Sequence, residues 1–113
     1  MNIQVTYKDL FTDRDTVLIG FSEKGKAPLS NTSAIIEYVA ENPYLDCKTL
    51  HLDFDKNKAL AASLGLGQAP SYVLFNKGRI EWQETGDTKL GKITYLLKLA
   101  QNDQLELTNL YGE

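Results

Sequence analysis

The stretch TVLIGF, residues 16–21, limits the possible folds more than any other part of the sequence. It is a nearly unbroken apolar run rich in residues that favour β-structure. A strand of this kind is covered on both faces, whereas a strand with one wet face alternates apolar and polar residues. We therefore expect a sheet with helices packed on its two sides.

The remaining patterns supply the other elements of such a sheet. Apolar alternation predicts an early strand and another strand further on, at Ile3, Val5, Tyr7 and at Leu50, Leu52, Phe54. The polar connection DLFTDRD, residues 9–15, is compatible with a helical turn. SYVLF and RIEWQE, linked by the three residues NKG, read as a β-hairpin with Gly78 in its turn.

Three segments have helical spacing. The first ends at Asn42-Pro43 and the second at Gly65, and the third is amphipathic. Their apolar positions are, in order, Ile35, Ile36, Val39, Ala40; Leu60, Ala61, Leu64; and Leu90, Ile93, Leu96, Leu97, Ala100. The predicted order is β-α-β-α-β-α-β-β-α, an α/β fold with a mixed central sheet flanked by helices.

The size and charge of the chain exclude some classes of protein. With 113 residues, 42% of them hydrophobic, it can bury the core of one domain. A net charge of −3 argues against nucleic-acid binding. No stretch has the length of a membrane span, and we see no signal peptide. The single Cys47 cannot form an internal disulfide, which favours a reducing, cytoplasmic location.

From about Val17 to Ala100 the sequence resembles the thioredoxin family without a gap. VLIGF matches the family's central strand, and APSYVLFNKGRI, residues 69–80, resembles its PT-apolar-apolar-F-x-x-G segment. Five residues also have the family's spacing: Asp55, Pro70, Phe75, Gly78 and Gly86. The resemblance implies a thioredoxin fold over residues 1–102, with a cis peptide bond before Pro70 that faces the active site.

The chain departs from the family where the family performs its chemistry. In place of W-C-G-P-C it has GKAPL, residues 25–29, so both sulfurs are missing. Disulfide exchange needs one thiolate to attack and a second thiol to resolve the mixed disulfide. The family's buried aspartate and its neighbouring lysine correspond to Gly20 and His51. We therefore expect no disulfide oxidoreductase activity and no cofactor.

The resemblance also implies a binding role. Thioredoxins hold extended peptides beside the proline loop, with hydrogen bonds from the backbone of the preceding residue, here Ala69. The groove would be lined by Lys26, Ala27, Pro28, Leu29, Ala69, Pro70 and Gly86. We expect a non-catalytic module that binds a protein or an extended peptide. The sequence does not determine its oligomeric state.

The alternative is a redox-homeostasis accessory that acts through Cys47 as a monothiol or on a partner's cysteine. Cys47 begins a predicted strand at the far end of the sheet from the KAPL turn. No predicted helix begins beside it to stabilise a thiolate. We therefore favour a structural role for Cys47, as a small apolar residue at a strand edge.

The sequence contains two further candidate ligand sites, one for a metal ion and one for an anion. One predicted strand carries Cys47, His51, Asp53 and Asp55 on one face, but they span roughly 26 Å, too far for one metal ion. We therefore expect no metal site and a hydrogen-bonded His51.

Residues 20–27, GFSEKGKA, nearly match the phosphate loop G-x-x-x-x-G-K-[ST], but Ala27 replaces the Mg²⁺-binding hydroxyl. A weaker anion site at the following helix start would use Lys24, Lys26 and nearby hydroxyls. Ordinary capping of that helix by Ser30 or a neighbour is the preferred interpretation.

The tail, residues 103–113, lies beyond the usual end of the family. It carries four large apolar residues, Leu105, Leu107, Leu110 and Tyr111. We expect the tail to dock on its own chain, with a contact in a dimer as the alternative.

Overall fold

The computed structural model describes residues 15–23 and 31–101. The predicted early strand, the connection before residue 15, the turn at 24–30 and the tail at 103–113 lie outside these residues. From Thr16 onwards the predicted order of elements is confirmed. The strands are β1 (Thr16–Ser22), β2 (Lys48–Asp53), β3 (Ser71–Asn76) and β4 (Arg79–Thr85), and the helices are α1 (Thr32–Glu41), α2 (Lys58–Ser63) and α3 (Leu90–Gln101). Short 3-10 turns span Pro43–Leu45 and Asp55–Asn57.

The four strands form one mixed sheet in the order β2-β1-β3-β4. β1 pairs with β2 in parallel and with β3 antiparallel, and β3 pairs antiparallel with β4. The parallel pair is joined through α1, as a parallel connection requires a crossover. The predicted mixed α/β architecture is therefore confirmed.

The β3–β4 hairpin has a shorter loop than the predicted three residues. Asn76 still belongs to β3 and pairs with Arg79, so only Lys77 and Gly78 form the turn. Both have positive φ, 56° and 82°, which suits a two-residue hairpin loop. Asn76 stays in the strand because its buried side chain is held on both sides. Its Oδ1 accepts from Thr16 Oγ1 at 2.8 Å, and its Nδ2 donates to the Ala100 carbonyl at 2.9 Å.

The sheet carries a hydrophobic cluster on each face, as the run in β1 predicts. On one face, α1, α3 and the turn at Pro43–Leu45 pack over Leu18, Tyr72 and Leu74. We call this the α1/α3 face. On the other face, α2 and the turn before it pack over alternate residues of the same two strands, namely Val17, Ile19, Phe21, Val73 and Phe75. We call this the α2 face.

Helix α1 lies unusually close to β1 at Gly20. A Cβ atom on Gly20 would lie 2.9 Å from Thr32 Cγ2 and 3.0 Å from Ile36 Cδ1. Real Cβ atoms essentially never come within 2.9 Å of another heavy atom, and a 3.0 Å contact is tighter than nine in ten of theirs. Glycine at this position therefore allows the helix to approach the strand.

Filling this contact should destabilise the protein. We expect Gly20→Ala to lower the free energy of unfolding by about 1–3 kcal/mol, because overpacking displaces the helix. Gly20→Asp should cost more, because it also buries a polar group without a partner. Urea denaturation measures both effects. Gly67→Ala is the matched control, since a Cβ there meets nothing within 4 Å, and an equal loss in that control would contradict the packing argument.

Candidate functional site

The loop before β3 lies at one end of the sheet with the ends of its neighbouring strands. Ser22, the last residue of β1, pairs with Asp53, the last residue of β2. Phe21 pairs with Ser71 at the start of β3, and Ser71 pairs with Thr85 at the end of β4. The fold therefore brings three of the predicted groove residues, Ala69, Pro70 and Gly86, to the end of the sheet where segment 24–30 begins.

The Pro70 loop is fixed to the end of β4. The Ala69–Pro70 peptide bond is cis, and the Pro70 carbonyl accepts a hydrogen bond from the Gly86 N–H at 2.6 Å. Gly86 has φ +100°, a conformation that favours glycine. Ala69 is half-buried and packs against the hydrophobic cluster on the α2 face. These contacts fix the position of the loop. Its residues Ala69 and Pro70 carry small side chains, which leave space beside it.

The backbone of Ala69 makes no hydrogen bond to the described part of the chain. Within residues 15–23 and 31–101, no hydrogen bond involves its N–H or its carbonyl. A backbone donor and acceptor that the neighbouring described strands leave unused can pair with an extended segment. The other predicted groove residues, Lys26, Ala27, Pro28 and Leu29, lie outside the described part of the chain.

The start of α1 is tied to β3 by a buried hydroxyl that the sequence analysis missed. The Tyr72 hydroxyl lies 2.9 Å from Thr32 Oγ1 and 3.4 Å from Asn31 Oδ1. Asn31 Nδ2 in turn donates to the Thr88 carbonyl at 3.1 Å, just before α3. Tyr72 is fully buried, and this burial raises its pKa. The tyrosine in the apolar run SYVLF could have indicated this contact, because a buried tyrosine hydroxyl usually has a hydrogen-bond partner.

The predicted capping of α1 by Ser30 or a neighbour can be followed in the structure only at Asn31. Asn31 occupies the N-cap position, but its side chain makes no capping hydrogen bond to the helix. It instead makes the contacts to Tyr72 and Thr88 described above. Ser30, the first-named candidate for the cap, lies outside the described residues, as do Lys24 and Lys26 of the weaker anion site. The side chains of Asn31 and Thr32 thus connect the start of α1 to β3 and to the segment before α3.

Gly20 and His51, which correspond to the family's aspartate and lysine, are paired neighbours on β1 and β2. The space beside Gly20 is filled by Thr32 and Ile36, so no carboxylate has room there. His51 is hydrogen-bonded, as predicted: its Nε2 lies 2.7 Å from Ser22 Oγ. The proton relay of the family therefore has no counterpart at these positions.

Around His51 lies an open pocket of about 260 Å³, lined by Ser22, His51, Leu52, Asp53 and Lys56. The described residues contain no group of three or more His, Cys, Asp or Glu side chains that could hold a metal ion.

Gly20 itself is covered by α1, which disfavours the phosphate-loop interpretation of residues 20–27. In the described part of the chain, no helix is both long enough and apolar enough to cross a membrane.

Cys47 lies at the opposite end of the sheet from the Pro70 loop. The next residue, Lys48, pairs with Val17 near the start of β1. The Cys47 thiol donates to the Lys48 carbonyl at 3.2 Å and packs beside the cluster on the α1/α3 face. Burial raises its pKa from 9.0 to about 12, with a smaller contribution from nearby Asp46. The thiol is therefore protonated, and weakly nucleophilic, at neutral pH.

Comparisons with known proteins agree with this geometry. No protein-family model and no curated protein matches the chain. A mutant thioredoxin from Halobacterium salinarum is 26% identical, with a TM-score of 0.68 over 80% of this chain and 78% of its own. Thioredoxins from Nicotiana alata and Malassezia sympodialis are each 16% identical with a TM-score of 0.65. They are matched over 77% and 85% of this chain and over 74% and 86% of their own.

These structures share the fold described above, and the sequence resemblance covers the same region. Cys47 is the one cysteine in the 113 residues, so a C-x-x-C pair is absent. The chain therefore has a thioredoxin-like fold and lacks the dithiol motif.

Proposed function

We propose that this protein is a non-catalytic binding module that holds a protein segment in extended form beside the Pro70 loop. The observation that carries the proposal is the backbone of Ala69, which has no hydrogen-bond partner within the described residues. Its N–H can donate a hydrogen bond to one further strand-like segment at this end of the sheet, and its carbonyl can accept one from that segment. Backbone pairing of this kind supplies affinity without requiring a particular sequence.

The neighbouring residues favour such a partner. Pro70 and Gly86 are joined by a backbone hydrogen bond, so the loop is positioned before a ligand arrives. A pre-positioned site loses less entropy on binding than a mobile one. The residues proposed for the opposite wall, Lys26, Ala27, Pro28 and Leu29, are mostly small or apolar. Such a groove suits an uncharged or apolar extended peptide.

Several properties of the chain support binding rather than catalysis. A dithiol reaction needs two sulfurs, and the chain has one. That sulfur lies at the other end of the sheet from the groove and is held as a thiol. The monothiol form of the redox-accessory alternative would need Cys47 as a thiolate, which its burial opposes.

We further propose a cytoplasmic location, consistent with a lone cysteine, and no affinity for nucleic acid, consistent with the net charge of −3.

The groove proposal is tested by Ala69→Arg. We expect this variant to lose the partner that the wild-type protein captures in a pull-down, because the arginine side chain blocks the groove. Ala62→Arg is the matched control: Ala62 is an exposed residue of α2 that is not among the proposed groove residues, and its replacement adds the same charge. Circular dichroism and a thermal melt establish that both variants fold. A folded Ala69→Arg that captures an unchanged set of partners would refute the groove.

Catalysis is tested separately with dithiothreitol-coupled reduction of insulin. We expect the rate to remain at the background without protein, because no second thiol can resolve a mixed disulfide. Cys47→Ser should leave partner capture unchanged. Loss of capture in that variant would instead favour the redox-accessory function, provided that the variant remains folded.

The reactivity of Cys47 gives a third test. At pH 7.5 we expect alkylation by iodoacetamide to be slower than in urea-unfolded protein by about three orders of magnitude. This follows from a thiol pKa of about 12 in the folded state against 9.0 in an ordinary thiol. The rate in the folded protein should rise about tenfold per pH unit through pH 9–11, since only the thiolate reacts. Equal rates in the folded and unfolded proteins at pH 7.5 would contradict the burial of this thiol.

A further inference from the structure

An exposed aromatic surface begins on α1 and continues into the turn that follows the helix. Tyr44 is 94% exposed and Tyr38 is 46% exposed. With their neighbours they form an open groove of about 320 Å³, lined by Tyr38, Glu41, Asn42, Pro43 and Tyr44. We call this the tyrosine groove. One hydrogen bond helps to hold the turn in place: the Asn42 side chain accepts it from the Tyr44 N–H at 3.1 Å.

The C-terminal end of α3 lies against the same turn. The side-chain amide of Gln101 donates to the carbonyls of Leu45 and Asp46. Leu45 directly follows Tyr44 and is buried in the cluster on the α1/α3 face. The last described residue of the helix is therefore held next to the tyrosine groove, and the chain continues from that point.

The segment that continues from Gln101 has the composition to fill the groove. Residues 102–113, NDQLELTNLYGE, contain Leu105, Leu107, Leu110 and Tyr111. An extended chain spans at most about 3.6 Å per residue, so Leu105 can reach about 14 Å from Gln101 and Leu107 about 22 Å. Leu105 and Leu107 also fall on one side of an extended segment, because side chains alternate along it.

We propose that residues 102–113 dock in the tyrosine groove of their own chain, with Leu105 and Leu107 packed against Tyr38, Pro43 and Tyr44. A short tether gives the segment an effective concentration in the millimolar range at this surface, which favours it over a separate molecule. This inference is independent of the binding function proposed for the Pro70 loop.

The docking is apolar rather than electrostatic. The segment carries Asp103, Glu106 and Glu113 and no lysine or arginine, and the charged residue that lines the groove is Glu41. Added salt screens repulsion between like charges, so docking should persist or strengthen from low salt to 1 M NaCl. An ionic attachment would weaken under the same change.

Amide hydrogen exchange of the full chain, read by mass spectrometry, tests the proposal. In the wild type we expect amides within 103–111 to exchange at least about tenfold more slowly than in an unstructured peptide. The double variant Tyr38→Ser/Tyr44→Ser should return them to the unstructured rate, as should Leu105→Ser/Leu107→Ser. Tyr95→Ser is the matched control, because Tyr95 is a 63% exposed tyrosine outside the groove. Unchanged exchange in β3 establishes that each variant is folded.

Three results of the exchange experiment would overturn the inference, and a fourth would come from dilution. They are unstructured exchange rates for 103–111 in the wild type, protection that survives the double tyrosine variant, and loss of protection in Tyr95→Ser alone. Dilution tests whether the docked segment belongs to the same chain or to a second copy of it. Protection that stays constant in a protein of monomeric mass supports docking within one chain. Protection that disappears on dilution together with a dimer shows exchange of the segment between two copies, contrary to the proposal.

Discussion

Strand β1 is the element on which the rest of the structure depends. It is hydrogen-bonded to β2 on one edge and to β3 on the other. Its side chains alternate between the two hydrophobic clusters, with Leu18 on one face and Val17, Ile19 and Phe21 on the other. Every described helix packs on a sheet face to which β1 contributes. Continuous apolar character in one short segment thus determines that the sheet must be covered on both sides.

This dependence explains why the fold could be predicted from the sequence. The run TVLIGF, the stop at Asn42-Pro43, and the hairpin residues act locally, and local patterns survive in the folded state. Gly65 ends α2 with φ +79°, as a glycine after a helix commonly does. The predicted three-residue loop was wrong by one residue because the side chain of Asn76 bonds to Thr16 and Ala100, partners distant in sequence.

The candidate site was less predictable for the same reason. The position of Ala69, Pro70 and Gly86 at one end of the sheet follows from topology, which the pattern of elements supplied. The network of Tyr72, Thr32, Asn31 and Thr88 joins three elements through single side-chain atoms. Periodicity carries no information about which distant hydroxyl a buried tyrosine will meet. The missing cysteines, by contrast, were evident from the sequence, because composition alone excludes a dithiol reaction.

The packing at Gly20 also bears on whether the lost chemistry can be regained. Two cysteines introduced into the turn before α1 would restore the sulfurs alone. The resemblance assigns a proton-accepting carboxylate to the position of Gly20, where Thr32 and Ile36 occupy the space that a side chain needs. A carboxylate there requires smaller residues on the facing helix, which would in turn disturb the Thr32–Tyr72 hydrogen bond or the packing of Ile36. Reversal therefore demands coordinated changes on a strand and a helix, so that an engineered oxidoreductase cannot be reached from this chain by altering its turn alone.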